Sequence, residues 1–307
     1  MKAMGSDDQR NRHARLLAAA EVLCTSLNGP SSYRLARLVE VGAFDGGATT
    51  MDMDDQLWLD GGLAKIPECR PHFWEEELDR LAEHQVFMVD TADEDYPTNL
   101  RMIHNRPPFL MVRGSLVQGD ERAVAVVGTR QPSAEGREAA YEIGRKLAER
   151  HVTVVSGLAE GIDTAAHSGA LSAHGRTIAV FGTGIEVIYP AKNRALADAV
   201  ARSGACVSQF LPSMRGARWT FPARNLVTSG LSLGTVVVEA SETSGARLQT
   251  QAALRHGKRV FLLDRLVRAQ QWARDAATRP GVATVDSVDQ VVTSIEVDLI
   301  TDAAVLV

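Results

Sequence analysis

Residues 123–173 constrain the fold more than any other stretch. Two short β-branched runs, 124–127 and 152–155, each lead into a glycine-bearing turn and then a helix-forming segment. Buried parallel strands read as continuous apolar runs, and joining two of them needs a crossover of a dozen or more residues. Residues 134–150 supply that crossover, so the stretch predicts a βαβ unit. Its polar turns sit together at the carboxyl ends of the strands, where open α/β sheets bind ligands.

The first turn is Gly128-Thr129-Arg130-Gln131-Pro132-Ser133. Gly128 allows an abrupt exit from the strand, and Pro132 bars helix before it. Ser133 suits an N-cap. The N–H groups of the following turn would then face outward as a phosphate site, with Arg130 beside them as a forked donor. The competing reading is a tight turn carrying an ordinary surface arginine. The second turn begins Ser156-Gly157 and reaches Gly161 and Asp163, with His167 one helical turn further on. Asp163 and His167 share a helix face. No nucleophile accompanies them, so the pair predicts a packed or ligand-facing histidine oriented by Asp163 rather than a catalytic dyad.

Six strands, near 124–127, 152–155, 177–181, 206–210, 235–239 and 259–263, alternate with helices. That pattern predicts an α/β fold, an extended Rossmann-like doubly wound and mostly parallel sheet. Residues 85–117 hold two more strands, Val86–Val89 and Phe109–Val112, and are expected to dock on this sheet. Upstream, apolar residues at helical spacing predict a small N-terminal helical domain over 1–84, broken at Gly46-Gly47 and Gly61-Gly62. The larger domain covers 85–296. Residues 297–307 read as a tail without a winged helix.

Composition excludes some classes. With 33 Lys and Arg against 38 Asp and Glu, the net charge is −5. A uniformly basic surface is ruled out, although a local basic groove is not. The three cysteines, Cys24, Cys69 and Cys206, are scattered and form no zinc or disulfide pattern. They point to a reducing, cytoplasmic setting. No apolar run is long enough to span a membrane, and no signal peptide is read. No cofactor or metal is expected.

Later crest loops add candidates. After the third strand, Lys192 precedes Asn193, which is placed as a helix cap. Residues 212–224 contain Arg215, Arg218, Trp219, Phe221 and Arg224 and no acid, with a helix expected from Asn225. Cations interleaved with rings suit single-stranded nucleic acid. The competing reading has Trp219 and Phe221 anchoring the loop to the core. After the fifth strand, Ser244-Gly245 opens another helix that carries Thr250, a further phosphate-suited loop.

Taken together, these motifs resemble the DprA/Smf family, DNA-processing proteins of bacterial natural transformation. The matching residues include Gly128-Thr129-Arg130 with Ser133, Ser156-Gly157-Leu158-Ala159 with Gly161-Ile162-Asp163, and Ala166-His167. Tyr189-Pro190 with Asn193, Phe221-Pro222 with Arg224-Asn225, and Ser244-Gly245 with Thr250 also match. The resemblance covers about 85–295. It implies a non-enzymatic homodimer that binds single-stranded DNA and hands it to the RecA recombinase in competence and DNA recombination. It also implies DNA-facing roles for Arg130, Lys192 and Arg224. Two rivals come from the broader nucleotide-binding superfamily. One is a phosphoribohydrolase, disfavoured because the loop Ala240–Arg247 lacks a double glycine. The other is a sensor of nucleotides.

Overall fold

The apolar runs become the middle strands of one sheet. A computed structural model describes residues 7–23, 30–45, 52–64, 67, 70–287, 289–290 and 293–294. Four helices come first: α1 (Asp7–Leu23), α2 (Pro30–Glu40), α3 (Met53–Leu63) and α4 (Arg70–Glu83). Then follow β1 (Val86–Asp90), α5 (Thr98–Arg101) and β2 (Phe109–Gly114). The alternating part runs β3 (Ala123–Val127), α6 (Ala134–Glu149), β4 (Thr153–Ser156), α7 (Ile162–Ser172), β5 (Thr177–Val180), α8 (Arg194–Ser203) and β6 (Ala205–Ser208). It continues with α9 (Thr220–Leu231), β7 (Gly234–Val237), α10 (Gly245–Arg255) and β8 (Arg259–Leu263), and closes on α11 (Asp264–Ala269), α12 (Gln271–Ala277) and β9 (Val282–Val285).

The sheet order is β1-β2-β6-β5-β4-β3-β7-β8-β9. From β6 to β9 every pairing is parallel, whereas β1 and β2 join antiparallel at the β6 edge. The segment 85–117 therefore extends the sheet itself. Strand order reverses between β3 and β7, which places the topological switch point there. Alternate side chains of the central strands feed opposite layers. Val124 and Val126 pack with α6 and α7, while Ala125 and Val127 pack with α10 and α12. The N-terminal helices share a core with the sheet: Leu16, Leu35 and Trp74 lie in one cluster with Phe109, Met111 and Phe210.

Three expectations change. The helix α3 runs through Gly61 and Gly62 instead of breaking there, held by buried Leu59 and by ion pairs from Arg34 and Arg37 to Asp55. The helix α9 begins at Thr220 and not at Asn225, so Phe221 and Arg224 are helical; Pro222 falls in its first turn, where no N–H is needed. A further strand, β9, pairs with β8. Gly46, Gly47, Cys24, Cys69 and the proposed tail lie outside the described residues. No helix among the described residues is long and apolar enough to cross a membrane.

Candidate functional site

At the crest, the backbone N–H groups that looked free are taken by the chain's own carboxylates. Ser133 caps α6 as expected, its Oγ accepting from Gly136 N at 2.9 Å. Yet Glu239, just beyond β7, accepts from Ser133 N at 3.1 and 3.2 Å and from Ser133 Oγ at 2.8 Å. An anion already sits at the α6 N-terminus, and the outward-facing phosphate site predicted there is filled from within. The second turn repeats this. Asp163 is 4% exposed and accepts from Gly157 N at 3.1 Å and Ala159 N at 3.4 Å. Burial pushes the Asp163 carboxyl up, against the opposing pull of Arg224 and these N–H donors.

The two turns are stitched together. Gly161 starts α7 at φ +82°, a conformation that disfavours any side chain, and a Cβ there would lie 2.4 Å from Thr129 O. Ile162 N donates to that same oxygen at 3.2 Å, and Thr129 N donates to Glu239 O at 2.6 Å. The backbone around Arg130 is thereby fixed before any ligand arrives.

Arg224 is half-buried and reaches both cavities from below. Its guanidinium lies across Gly157, where even a Cβ would come within 1.3 Å of it, and it donates to Val180 O at 3.1 Å. Burial pushes its pKa down while Asp163 supports its charge. Arg224 is a cation in the floor of the site. His167 is fully buried, and its Nδ1 meets Thr177 Oγ1 at 2.6 Å, so Thr177 rather than Asp163 orients the ring. Thr177 Oγ1 donates onward to Val154 O, which assigns the imidazole proton to Nδ1. Burial, reinforced by Arg224, pushes the His167 pKa down to about 3, so it is neutral at physiological pH.

Other candidates have partners within the chain. Ser156 Oγ donates to Val126 O. Asn193 does not cap α8 with its side chain; its amide donates to Leu158 O at 2.8 Å and Thr164 Oγ1 at 3.0 Å, tying two crest loops. Thr250 donates to Ala246 O within α10. Lys192 pairs with Glu160 at 2.6 Å. Arg215 and Arg218 are exposed on the loop before α9 and have no carboxylate partner among the described residues.

What remains open is a pair of adjoining cavities. A cleft of about 480 Å³ lies at the switch point, reached by Gly128, Thr129, Arg130, Asn225, Ser244 and Gly245. Ser244 caps α10, accepting from Ala246 N at 3.2 Å. A smaller cavity of about 180 Å³ lies towards Tyr189 and Gly157. Arg130 and Phe221 border both. The Arg130 guanidinium carbon is 5.5 Å from the Phe221 ring centre, and the Tyr189 ring is 5.6 Å from Phe221 at a tilt of 54°. Exposed Arg130, half-buried Phe221 and exposed Tyr189 make a row of flat faces. Trp219 turns inward instead, packing edge-on against buried Phe210 at 5.7 Å. The two aromatic readings thus divide: Trp219 anchors the loop and Phe221 faces the cavities. In the sequence, Tyr189 stood out only as part of the Tyr189-Pro190 motif.

A family model described as DNA recombination-mediator protein A matches residues 87–296. The DNA processing protein DprA of Streptococcus pneumoniae is 33% identical over 251 residues, 79% of this chain and 86% of that one. DprA of Bacillus subtilis is 34% identical over 180 residues, 58% of this chain and 61% of that protein. Protein Smf of Synechocystis is 41% identical over 190 residues, and there the chain spans about half of the relative, 48%. Among solved structures, S. pneumoniae DprA superposes with a TM-score of 0.66 at 26% identity, over 95% of this chain and 98% of that one. DNA processing protein A from Helicobacter pylori shares the fold, with a TM-score of 0.62 at 22% identity over 70% of this chain and 97% of its own. With the resemblance borne out along most of its length, the chain belongs to the DNA recombination-mediator protein A family, the DprA/Smf proteins.

Proposed function

We propose that this chain binds single-stranded DNA along the crest of its sheet and acts by binding rather than by chemistry. The observation that carries this reading is the row formed by Arg130, Phe221 and Tyr189. Rings accept bases of any sequence by stacking, and an arginine beside them takes the phosphate. Duplex DNA keeps its base faces covered and cannot use such a row. Because Glu239 sits at the α6 N-terminus and Asp163 takes N–H groups of the second turn, the side chains of Arg130, Arg215 and Arg218 are proposed as the phosphate partners. His167, neutral and enclosed, lines neither of the two cavities, which supports a packing role. The H. pylori relative has been described in a single-stranded DNA binding mode, which agrees with this reading. We extend the proposal to a cytoplasmic homodimer that delivers the strand to RecA, as the family resemblance implies.

A titration separates this reading from a nucleotide sensor. Oligothymidylate, the matching duplex and nucleoside monophosphates are offered to the purified chain at one salt concentration. Tight binding of the oligomer, weak binding of duplex and no competition from monophosphates are expected. Preferential binding of a monophosphate overturns the proposal.

A further inference from the structure

The N-terminal helices reach the crest through one side chain. Arg80, in the last turn of α4, meets the loop that follows β5 and carries Tyr189. Its guanidinium is first held within its own helix. Nε donates to Glu77 Oε2 at 2.9 Å, three residues back, and Nη2 also pairs with Glu77. Nη2 then donates to Glu186 Oε1 at 2.7 Å, across 106 positions of sequence. The helix beneath this pair is itself fixed. Its Trp74 and Leu81 are buried in the core cluster that also takes Ile185 and Ile188 of the crest loop.

The same loop is tied on its other flank by backbone. Gly184 N donates to Met214 O at 2.8 Å and Glu186 N to Pro212 O at 3.1 Å. Gly182 lies against Phe221, so close that a Cβ would come within 2.6 Å of the ring. Tyr189 follows three residues after Glu186, next to buried Ile188, and its exposed ring stands 5.6 Å from Phe221. A surface ion pair contributes little when both side chains are free, and more when its geometry is set in advance. Here Glu77 sets Arg80, and the bond to Pro212 O sets the backbone of Glu186.

We infer that α4, through the Arg80–Glu186 pair, positions the Tyr189 loop for stacking on a bound strand, so that the N-terminal helices tune the affinity of a site they do not form. The inference rests on the single-strand reading above. Arg80 and Glu186 line neither cavity, and both act through Tyr189 as positioning residues.

Their opposite charges give the test its direction. The strand is a polyanion, so by charge alone the loss of Glu186 would tighten binding and the loss of Arg80 would loosen it. If the pair positions Tyr189, both losses loosen it. Oligothymidylate of about 20 nucleotides is titrated into the full chain, with affinities read by fluorescence anisotropy and folding checked by melting curves. Arg80→Ala and Glu186→Ala should each bind about three- to five-fold more weakly than wild type. Arg80→Lys, which keeps the cation, should recover part of the loss. In a Tyr189→Ala background the same two substitutions should each change affinity by less than about 1.5-fold, because the contact they act through is gone. Three results overturn the inference while leaving strand binding intact: Glu186→Ala binding as tightly as wild type or tighter, Tyr189→Ala binding like wild type, or an undiminished effect of Arg80→Ala in the Tyr189→Ala background. Failure of the wild-type chain to bind the oligomer sinks the single-strand reading and this inference together.

Discussion

Replacing Arg130 by alanine should damage strand binding far more than replacing Arg215. Both side chains are exposed, and their surroundings set them apart. Arg130 follows a backbone held by Thr129 N to Glu239 O at 2.6 Å and by Ile162 N to Thr129 O at 3.2 Å. Its guanidinium also rests over Phe221 at 5.5 Å, so little freedom is lost when a phosphate arrives. A charge-assisted hydrogen bond from such a group is worth about 1.5–3 kcal/mol, or roughly 10- to 150-fold in affinity. Arg215 sits beside Gly216 in the loop before α9 and must be ordered by the ligand, which leaves well under about 1 kcal/mol, a few-fold effect. Anisotropy titrations of Arg130→Ala and Arg215→Ala with oligothymidylate at one salt concentration decide the matter, once melting curves show both variants folded. If Arg215→Ala is the weaker binder, or Arg130→Ala stays within two-fold of wild type, the crest turn is not the phosphate site.

Three further outcomes follow from the geometry. Phe221→Ala should cost about 1–3 kcal/mol of strand binding through lost stacking, whereas Trp219→Ala, which empties a core contact, should lower the melting temperature more than the affinity; a reversed pattern refutes the division of roles. Gly157→Ala drives a Cβ into the Arg224 guanidinium, and overpacking of this kind costs roughly 1–3 kcal/mol, so calorimetry should show a melting point lower by several degrees; an unchanged value would mean that Arg224 moves freely. Within α1, burial alone would lower the His13 pKa, but hydrogen bonds to Asp90 and Asp93 outweigh it and raise the value. Protonated His13 therefore stabilises the fold below the ordinary histidine pKa of about 6.5, and this support is lost as pH rises through the raised folded value. The stability difference between wild type and His13→Asn should be larger at pH 6 than at pH 9, and a difference independent of pH would contradict it.

Much of the fold was legible because strand and turn chemistry are local. The runs that became β3 to β8 are short and mostly apolar, and those of β3, β4 and β6 end in or lead directly into glycine or serine. The strand β9 escaped notice because its residues are mostly half-exposed or exposed at a sheet edge, with only Val285 buried. The true start of α9 was hidden by Pro222, which reads as a breaker until its place in the first turn is known. The site was legible in its residue types but not in its connections. Glu239 and Ser133 are 106 positions apart, and nothing local says that one fills the anion site of the other. Asp163 and His167 share a helix face, yet each found a partner on a neighbouring loop or strand.

The central claim is that the crest binds a single strand through a small set of exposed cations beside stacking rings, and the salt dependence of oligothymidylate affinity tests it most directly. Among the described crest residues, Arg130, Arg215 and Arg218 are exposed arginines without a carboxylate partner, while Lys192 pairs with Glu160 and Arg224 is half-buried. Three such contacts predict a log–log slope of about −2 on a single strand. A slope near that value, with duplex bound more weakly at every salt concentration, is the expected result. An affinity independent of salt, or equal for duplex and single strand, would contradict the account.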